Sequence, residues 1–321
     1  MPRNPSFNPS TSGSIISGNR YECMDIEMKK GEKSYKFKNS GGIKEILITI
    51  WNNKMSRIGL IILLVFLGIA MIGPILLEEP KADYLQRLKP PSREHILGTD
   101  YSGKDTLVQL ILGSKDVLLV AFWAGVISIF IACTIGILSG LLGGKLDAIL
   151  MMIANIVVTI PSFPVTMILS MIIKIDNEFM FGLLLSLWSW AGLAKAIRTQ
   201  VLTIKHKEFI EASKILGLRK IDIIINDIIP NIISFIAVNF IVIMKDAIMA
   251  SVGLMYLGLV PFQGNHWGMM IQLSLTATGA LMGSGTIAYF LAPVLGIVFF
   301  QLGCFLFASG LDEALNPRLR V

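Results

Sequence analysis

Charge is scarce in this chain. Asp, Glu, Lys and Arg make up 16% of its 321 residues, against about 25% in an ordinary soluble protein. Apolar residues reach 54% and mean hydropathy is +0.69, which excludes a water-soluble globule and implies a polytopic membrane protein. Cysteine is nearly absent: Cys23 lies in a polar tail, Cys133 and Cys304 in apolar runs. None has metal-ligand spacing and no disulfide framework is implied, so the last two read as small buried apolar residues. No metal site is expected. There is no Gly-x(4)-Gly-Lys-Ser/Thr loop, and the Gly-rich pieces at 140–144 and 279–285 lack the flanking strand a phosphate cradle requires. Paired carboxylates and Ser/His/Asp sets at workable spacing are missing too, so the chain is not expected to be an enzyme. Its surplus of basic residues, net +6, has no aromatic interleaving, and nucleic acid is not an expected partner. A cleavable signal peptide is not expected either. The first apolar run begins near residue 58 and is long enough to span a bilayer.

What is present is a series of apolar runs. Residues 1–41 are rich in Ser, Asn, Gly, Pro and Lys and read as a disordered tail. Within 42–57, Ile43, Ile46, Leu47, Ile50 and Trp51 form an apolar stripe suited to an interfacial elbow. Ten Lys/Arg before residue 58 argue for a cytoplasmic N-terminus. Six spans follow: Ile58–Leu77, Val117–Leu142, Ala148–Ile173, Phe179–Ala196, Ile232–Leu259 and Ile287–Leu311. They predict an all-α fold and a lipid bilayer as surroundings. The domain reading is a tail at 1–41, an elbow, first span and start of the outer segment at 42–95, and a core at 96–321. Both termini are expected in the cytoplasm.

Polar residues inside spans are candidate site residues. The third span carries Asn155, Pro161 and Pro164. Prolines there free carbonyls and bend the helix, so this span lines a cavity or kinks against a neighbour; the residues leave both readings open. The fifth carries Lys245 and Asp246. Neighbours on a helix point about 100° apart and need not pair with each other, and intramembrane charge marks a pathway or a structural pair with another helix. Outside the membrane, Asp100 and Ser102 read as helix N-caps and His95 as a surface residue.

The charged island between spans four and five is the most informative stretch. Residues 195–220 hold seven Lys/Arg and two Glu, which places them at a membrane face, on the cytoplasmic side. Lys205–Leu216 reads as an amphipathic helix with Phe209, Ala212, Ile215 and Leu216 on its stripe. Gly217 stops it. A second short helix, Lys220–Ile229, is expected to end before Pro230.

Glu211-Ala212-Ser213, with Gly217 six residues after the Glu and Ile229-Pro230-Asn231 beyond, resembles the EAA loop of ABC-importer permeases. The outer stretch His95-Ile96-Leu97-Gly98-Thr99-Asp100, continuing through Gly103-Lys104-Asp105, resembles the His-Pro-Leu-Gly-Thr-Asp-x-x-Gly-Arg-Asp signature of the C-type subunit of the dipeptide/oligopeptide/nickel transporters. Asn265-His266-Trp267-Gly268 is similar to that family's Pro-Ser-Trp-Gly loop. The end of the chain, Leu311 to Leu319, is similar to its C-terminal tail. The resemblance implies a type I ABC importer permease fold in the cell membrane, with the EAA loop at about 205–231.

In that family the loop docks in a groove of the ATP-binding subunit, which here assigns Glu208, Glu211, Ala212, Ser213, Gly217, Leu218 and Pro230 to coupling. Asn155, Pro161, Lys245 and Asp246 become candidates for the translocation path, and Trp267 and Gly268 for contact with a solute-binding protein. The implied partners are a homologous second permease, two ATP-binding subunits and the external binding protein. ATP and Mg would sit on the partners, with no cofactor on this chain. Peptides are the implied cargo; nickel or oligosaccharides on the same architecture, or an ATP-independent secondary transporter, are the alternatives.

Overall fold

Long uncharged segments become helices because a backbone out of water must satisfy its own hydrogen bonds. The computed structural model describes residues 51, 53–260, 265–277 and 287–315, with side chains to 312. The expected tail and most of the elbow lie outside the described residues, as do the loop at 261–264 and the C-terminal end. The helices are α1 (Lys54–Leu76), α2 (Thr106–Leu142), α3 (Gly144–Thr159), α4 (Ser162–Ile172), α5 (Glu178–Lys205), α6 (Glu208–Ile215), α7 (Lys220–Ile223), α8 (Ile229–Tyr256), α9 (Trp267–Thr276) and α10 (Ile287–Leu315). A π-helical turn, Ile224–Ile228, joins α7 to α8. Five of these segments are long and apolar enough to cross a bilayer alone.

The third span is not the straight helix expected over Ala148–Ile173. It is broken between α3 and α4, which meet at a bend of 84°. Pro161 caps α4 from an extended backbone conformation, and a residue preceding proline is driven out of the helical region; Ile160 is extended accordingly. The broken pair is still a crossing. Gly182 of α5 sits against Val120–Ala124 of α2, Gly136 of α2 against Ala194 and Ile197, and Gly140 against Val201, so α2 and α5 run parallel. The chain between them must therefore return across the membrane, which makes six crossings among the described residues. Gly136 and Gly140 are four apart and offer no side chain, so the two backbones approach closely. A Cβ on Gly136 would lie 2.7 Å from the Ala194 carbonyl oxygen.

α1 and α10 run antiparallel, with Gly59 against Gly303 and Phe307 and Ser56 against Gly310. The start of α1, the end of α10 and α6 consequently share one face of the membrane. The second span begins earlier than expected, at Thr106, where Asp105 is the N-cap and accepts from the Val108 amide at 3.0 Å. Asp100 and Ser102 are not caps. Asp100 is a buried hub whose carboxylate accepts from Ser102 N, Lys104 N and Gln109 Nε2 at 2.8, 2.8 and 3.1 Å. His95 is no free surface residue either, since its ring bridges Asp105 and Gln86 at 2.8 Å each. Hydrogen bonds cross the boundary drawn at 95/96. Bonds such as Lys89 N to Thr99 Oγ1 and Asp83 N to Ser102 O tie the loop across it.

Two cores fill the bundle. One, near α9, gathers Val117, Phe181, Ile248, Met255 and Trp267. The other, near α6, gathers Ile197, Val201, Ile204, Ile210, Ile223, Ile228 and Ile232.

Candidate functional site

α6 is a two-turn helix, too short to hold itself together in water, and its ends and one anchor fix it. Glu208 and Glu211 occupy its first turn, where carboxylates meet the positive end of the helix dipole. Its C-terminus is a complete Schellman motif. Leu218 N donates to Ser213 O at 3.2 Å, Gly217 N to Lys214 O at 3.0 Å, and Gly217 takes φ +73°. Glycine is needed there for its backbone alone, since no atom lies within 4 Å of where a Cβ would stand.

The buried side of α6 differs from the expected stripe. Ile210 is 0% exposed and enters the Ile223–Ile228–Ile232 core, whereas Ile215 and Leu216 are 86% and 77% exposed. Ala212 is exposed and Phe209 half-buried. Ile210, with half-buried Phe209 packed on the same core, holds the helix down, whereas Ile215, Leu216, Leu218 and Ile221 are exposed. A bared apolar patch rimmed by charge marks a contact surface.

Pro230 does not end a helix as expected. The turn before it widens to a π-turn in which Ile229 N donates to Ile224 O, and Pro230 then occupies the first turn of α8. Proline there lacks a donor the first turn does not need, so Lys220–Tyr256 runs as one long segment. Ser213 Oγ donates to Asp227 Oδ2 of the π-turn at 3.0 Å, and Asn231 Nδ2 donates to Asp227 O at 2.6 Å. Asp227 thus ties α6 to α8, a role no motif signals.

Two further ties join this end to other helices. Arg198 of α5 grips Asp147 of α3 through Nε and Nη2 at 2.6 Å each, and Ser139 of α2 donates to the same carboxylate. Lys205 Nζ donates to Gly140 O and Leu141 O at 3.3 and 2.8 Å, satisfying the last carbonyls of α2. Arg198 and Asp147 are 51 residues apart, and only the fold makes them a pair.

The remaining candidates fall in separate places. Asn155 is exposed on α3 and Pro161 stands at the α3–α4 break. Lys245 and Asp246 do pair with each other, Nζ to Oδ1 at 3.3 Å, because a long Lys stem can swing back to its neighbour. Trp267 and Gly268 do not present an exposed face. Trp267 is 1% exposed, donates from Nε1 to Leu110 O at 3.0 Å and stacks edge-on with Phe66. Gly268 lies against Val252 and Met255 with no room for a Cβ. His266 is buried beside them and caps α9, its Nδ1 accepting from Gly268 N at 3.1 Å. Burial pushes its pKa down to about 3. These residues are packed into the core at the start of α9.

Known proteins share this sequence pattern. Residues 132–321 match the family described as binding-protein-dependent transport system inner membrane component. The chain is 31% identical over 280 residues to the oligopeptide transport system permease protein OppC of Bacillus subtilis (strain 168), covering 86% of this chain and 90% of that protein. It is 32% identical over 275 residues to the dipeptide transport system permease protein DppC of the same organism, covering 84% and 83%. With the OppC protein of Haemophilus influenzae it shares 31% identity over 284 residues, 84% of this chain and 86% of that one.

Proposed function

The chain belongs to the family of binding-protein-dependent transport system inner membrane components, and from that premise we propose that it is one permease subunit of an ATP-driven ABC importer of di- or oligopeptides. It provides half of the translocation pathway, and a homologous second permease provides the other half. A solute-binding protein delivers the peptide outside. Two ATP-binding subunits, which hold the ATP and Mg, act inside. The chain contributes no hydrolytic chemistry of its own. The peptide assignment draws on the names of the oligopeptide and dipeptide relatives.

The observation that carries the reading is α6: a short helix, rigid at its Gly217 end, with Ile215, Leu216, Leu218 and Ile221 bared among basic residues. Basic loops mark the cytoplasmic face, so α6 and both chain termini stand on that side. An ATP-binding subunit gripping the Ile215–Leu218 edge, with Glu208, Glu211 and Ala212 beside it, moves a body and not a loose loop. Ser213–Asp227 passes the displacement to α8 through the π-turn at Pro230. Lys205 and the Arg198–Asp147 grip pass it to α2 and α3. Tilting these helices together alternates access to the pathway, the rocking of packed bundles seen in transporters generally.

The test is reconstitution of the full complex in proteoliposomes with a cysteine at Ile215. ATP-dependent peptide uptake and cross-linking of that cysteine to the ATP-binding subunit are expected. Uptake driven by an ion gradient without ATP, or α6 labelled only from the outer face, overturns the proposal.

A further inference from the structure

Five charges stand at one level of the bundle. Glu78 and Glu79 close the uncharged run at 58–77, Lys115 and Asp116 directly precede the uncharged run at 117–142, and Glu178 directly precedes the one at 179–194. A charge that borders a long apolar run stands at the edge of the hydrocarbon. All five line one cavity of about 660 Å³. α1 ends at it and α5 begins at it, and α5 runs from there to α6. The cavity therefore lies at the membrane face opposite α6.

A second cavity, of about 710 Å³, adjoins the first and shares Pro74, Ile75 and Lys115 with it. Its chemistry is the reverse. Lys115, at its mouth, is the one charge among the described residues that line it, and the rest are apolar. Below the mouth four helices form its walls, with Leu67 from α1, Leu118 from α2, Phe240 from α8 and Phe300 from α10. Along α1 the lining runs from Ile75 to Leu63, about 18 Å of helix, against about 15 Å for half of a hydrocarbon layer. Met71, Ile75 and Phe122 are exposed, so the groove is open at its side. It spans one leaflet, from the polar edge inward.

We propose that the two cavities together hold one aminophospholipid of the phosphatidylethanolamine type, with an acyl chain in the apolar groove, the phosphate at Lys115 and the primary ammonium among Glu79, Glu178 and Asp116. Lipid tails are as apolar as the groove, so burial gives no preference among lipids, and selectivity belongs to the headgroup. The polar cavity sets four carboxylates against one ammonium. Among the described residues no ion pair joins Lys115 to any of them, and Glu79 and Glu178 are paired with no cation. Asp116 is partly engaged, its Oδ2 accepting from Asn265 N at 3.2 Å. The excess of acid repels a headgroup of net negative charge, whereas a zwitterion meets both signs. A primary ammonium brings three N–H donors to carboxylates, which a trimethylated amine lacks. Lys115 can lay its stem along the apolar wall and keep its ammonium at the edge. The lipid wedges between the α1–α10 pair and α8, the helix that Asp227 ties to α6. On the orientation given above this is a lipid of the outer leaflet, and the inference does not depend on which solute is carried.

The experiment uses the complete complex in phosphatidylcholine nanodiscs with a trace of either phosphatidylethanolamine or phosphatidylglycerol, each carrying a diazirine midway along one acyl chain. After irradiation, complex recovered intact by size exclusion is digested, and labelled peptides of this chain are mapped by mass spectrometry. The ethanolamine-to-glycerol labelling ratio is read at residues 67–75 and 118–122, and it does not depend on how much protein folds. It is expected to be about fivefold in the parent and to approach one in the double variant Glu79→Gln, Glu178→Gln. Lys115→Gln should lower labelling by both lipids, since both carry the phosphate, and Lys115→Arg should keep the parent pattern. A ratio near one in the parent marks ordinary boundary lipid and overturns the proposal. So does a parent ratio that the double variant leaves unchanged. Absence of label in the groove, with a cysteine at Met71 cross-linking to the second permease, overturns it too, because a subunit then covers the groove. Each of these outcomes leaves the importer reading intact.

Discussion

The two ends of the bundle treat apolar residues in opposite ways. At the α6 end, Ile215 and Leu216 stand 86% and 77% exposed while Ile210 and half-buried Phe209 anchor the helix. At the α9 end, Trp267 is 1% exposed and a histidine is buried beside it. Each end carries a short motif with a glycine in it. Gly217 serves a left-handed backbone in open space, whereas Gly268 serves close packing against α8. A glycine in a motif is thus compatible with a surface handle at one end and a core anchor at the other. The handle leaves its apolar atoms uncovered by any of the described residues. The anchor does not, because Leu110, Phe66, Val252 and Met255 already occupy it.

The sharpest way to break this contrast is at the anchor. Trp267→Ala removes a buried aromatic side chain and its bond to Leu110 O. Thermal unfolding in detergent should show a loss of about 3–5 kcal/mol, with α6 cross-linking unaffected in the protein that remains folded. At the handle, Gly217→Val places a β-branched residue in a left-handed conformation, a strain of about 1–2 kcal/mol. Membrane insertion should persist while ATP-driven uptake falls below a tenth of the parent rate, and normal uptake would count against docking through α6. Ser213→Ala removes the bond to Asp227 and should cost about 1 kcal/mol, seen as faster amide exchange across α6 with a smaller loss of uptake.

Mild acid gives the smallest effect. The folded-state pKa of His266 is about 3, below the unfolded value near 6.5, so the unfolded chain takes the proton first. Its stabilisation is fully present above about 6.5 and is lost as pH falls toward 3. Between pH 7.5 and 6 the parent should lose under about 1 kcal/mol relative to His266→Asn, which keeps a capping acceptor. A parallel pH profile for the two proteins would show that His266 is not held neutral.

Much of the fold was legible because hydrocarbon imposes a single demand: some twenty residues without charge, each helix closing its own hydrogen bonds. The spans, the Gly217 stop and the family resemblance all lie in contiguous sequence. The face of α6 was misread because a short helix with several apolar residues has more than one plausible stripe, and the isoleucines of α7 and α8 chose Ile210. The stop at Pro230 was misread because a single wide turn removes the clash that proline creates. Adjacency on a helix did not require Lys245 and Asp246 to pair, and a flexible lysine side chain joined them.

The amino-acid order by itself determined that this chain is a bundle of membrane helices with a basic, glycine-capped knuckle between the fourth and fifth crossings. Those features depend on local composition and on one residue's backbone freedom. Tertiary structure alone decided that Arg198 meets Asp147, that Ser213 meets Asp227 and that Trp267 is buried. Each of these depends on which helix faces which across tens of residues, and no local rule contains that distance.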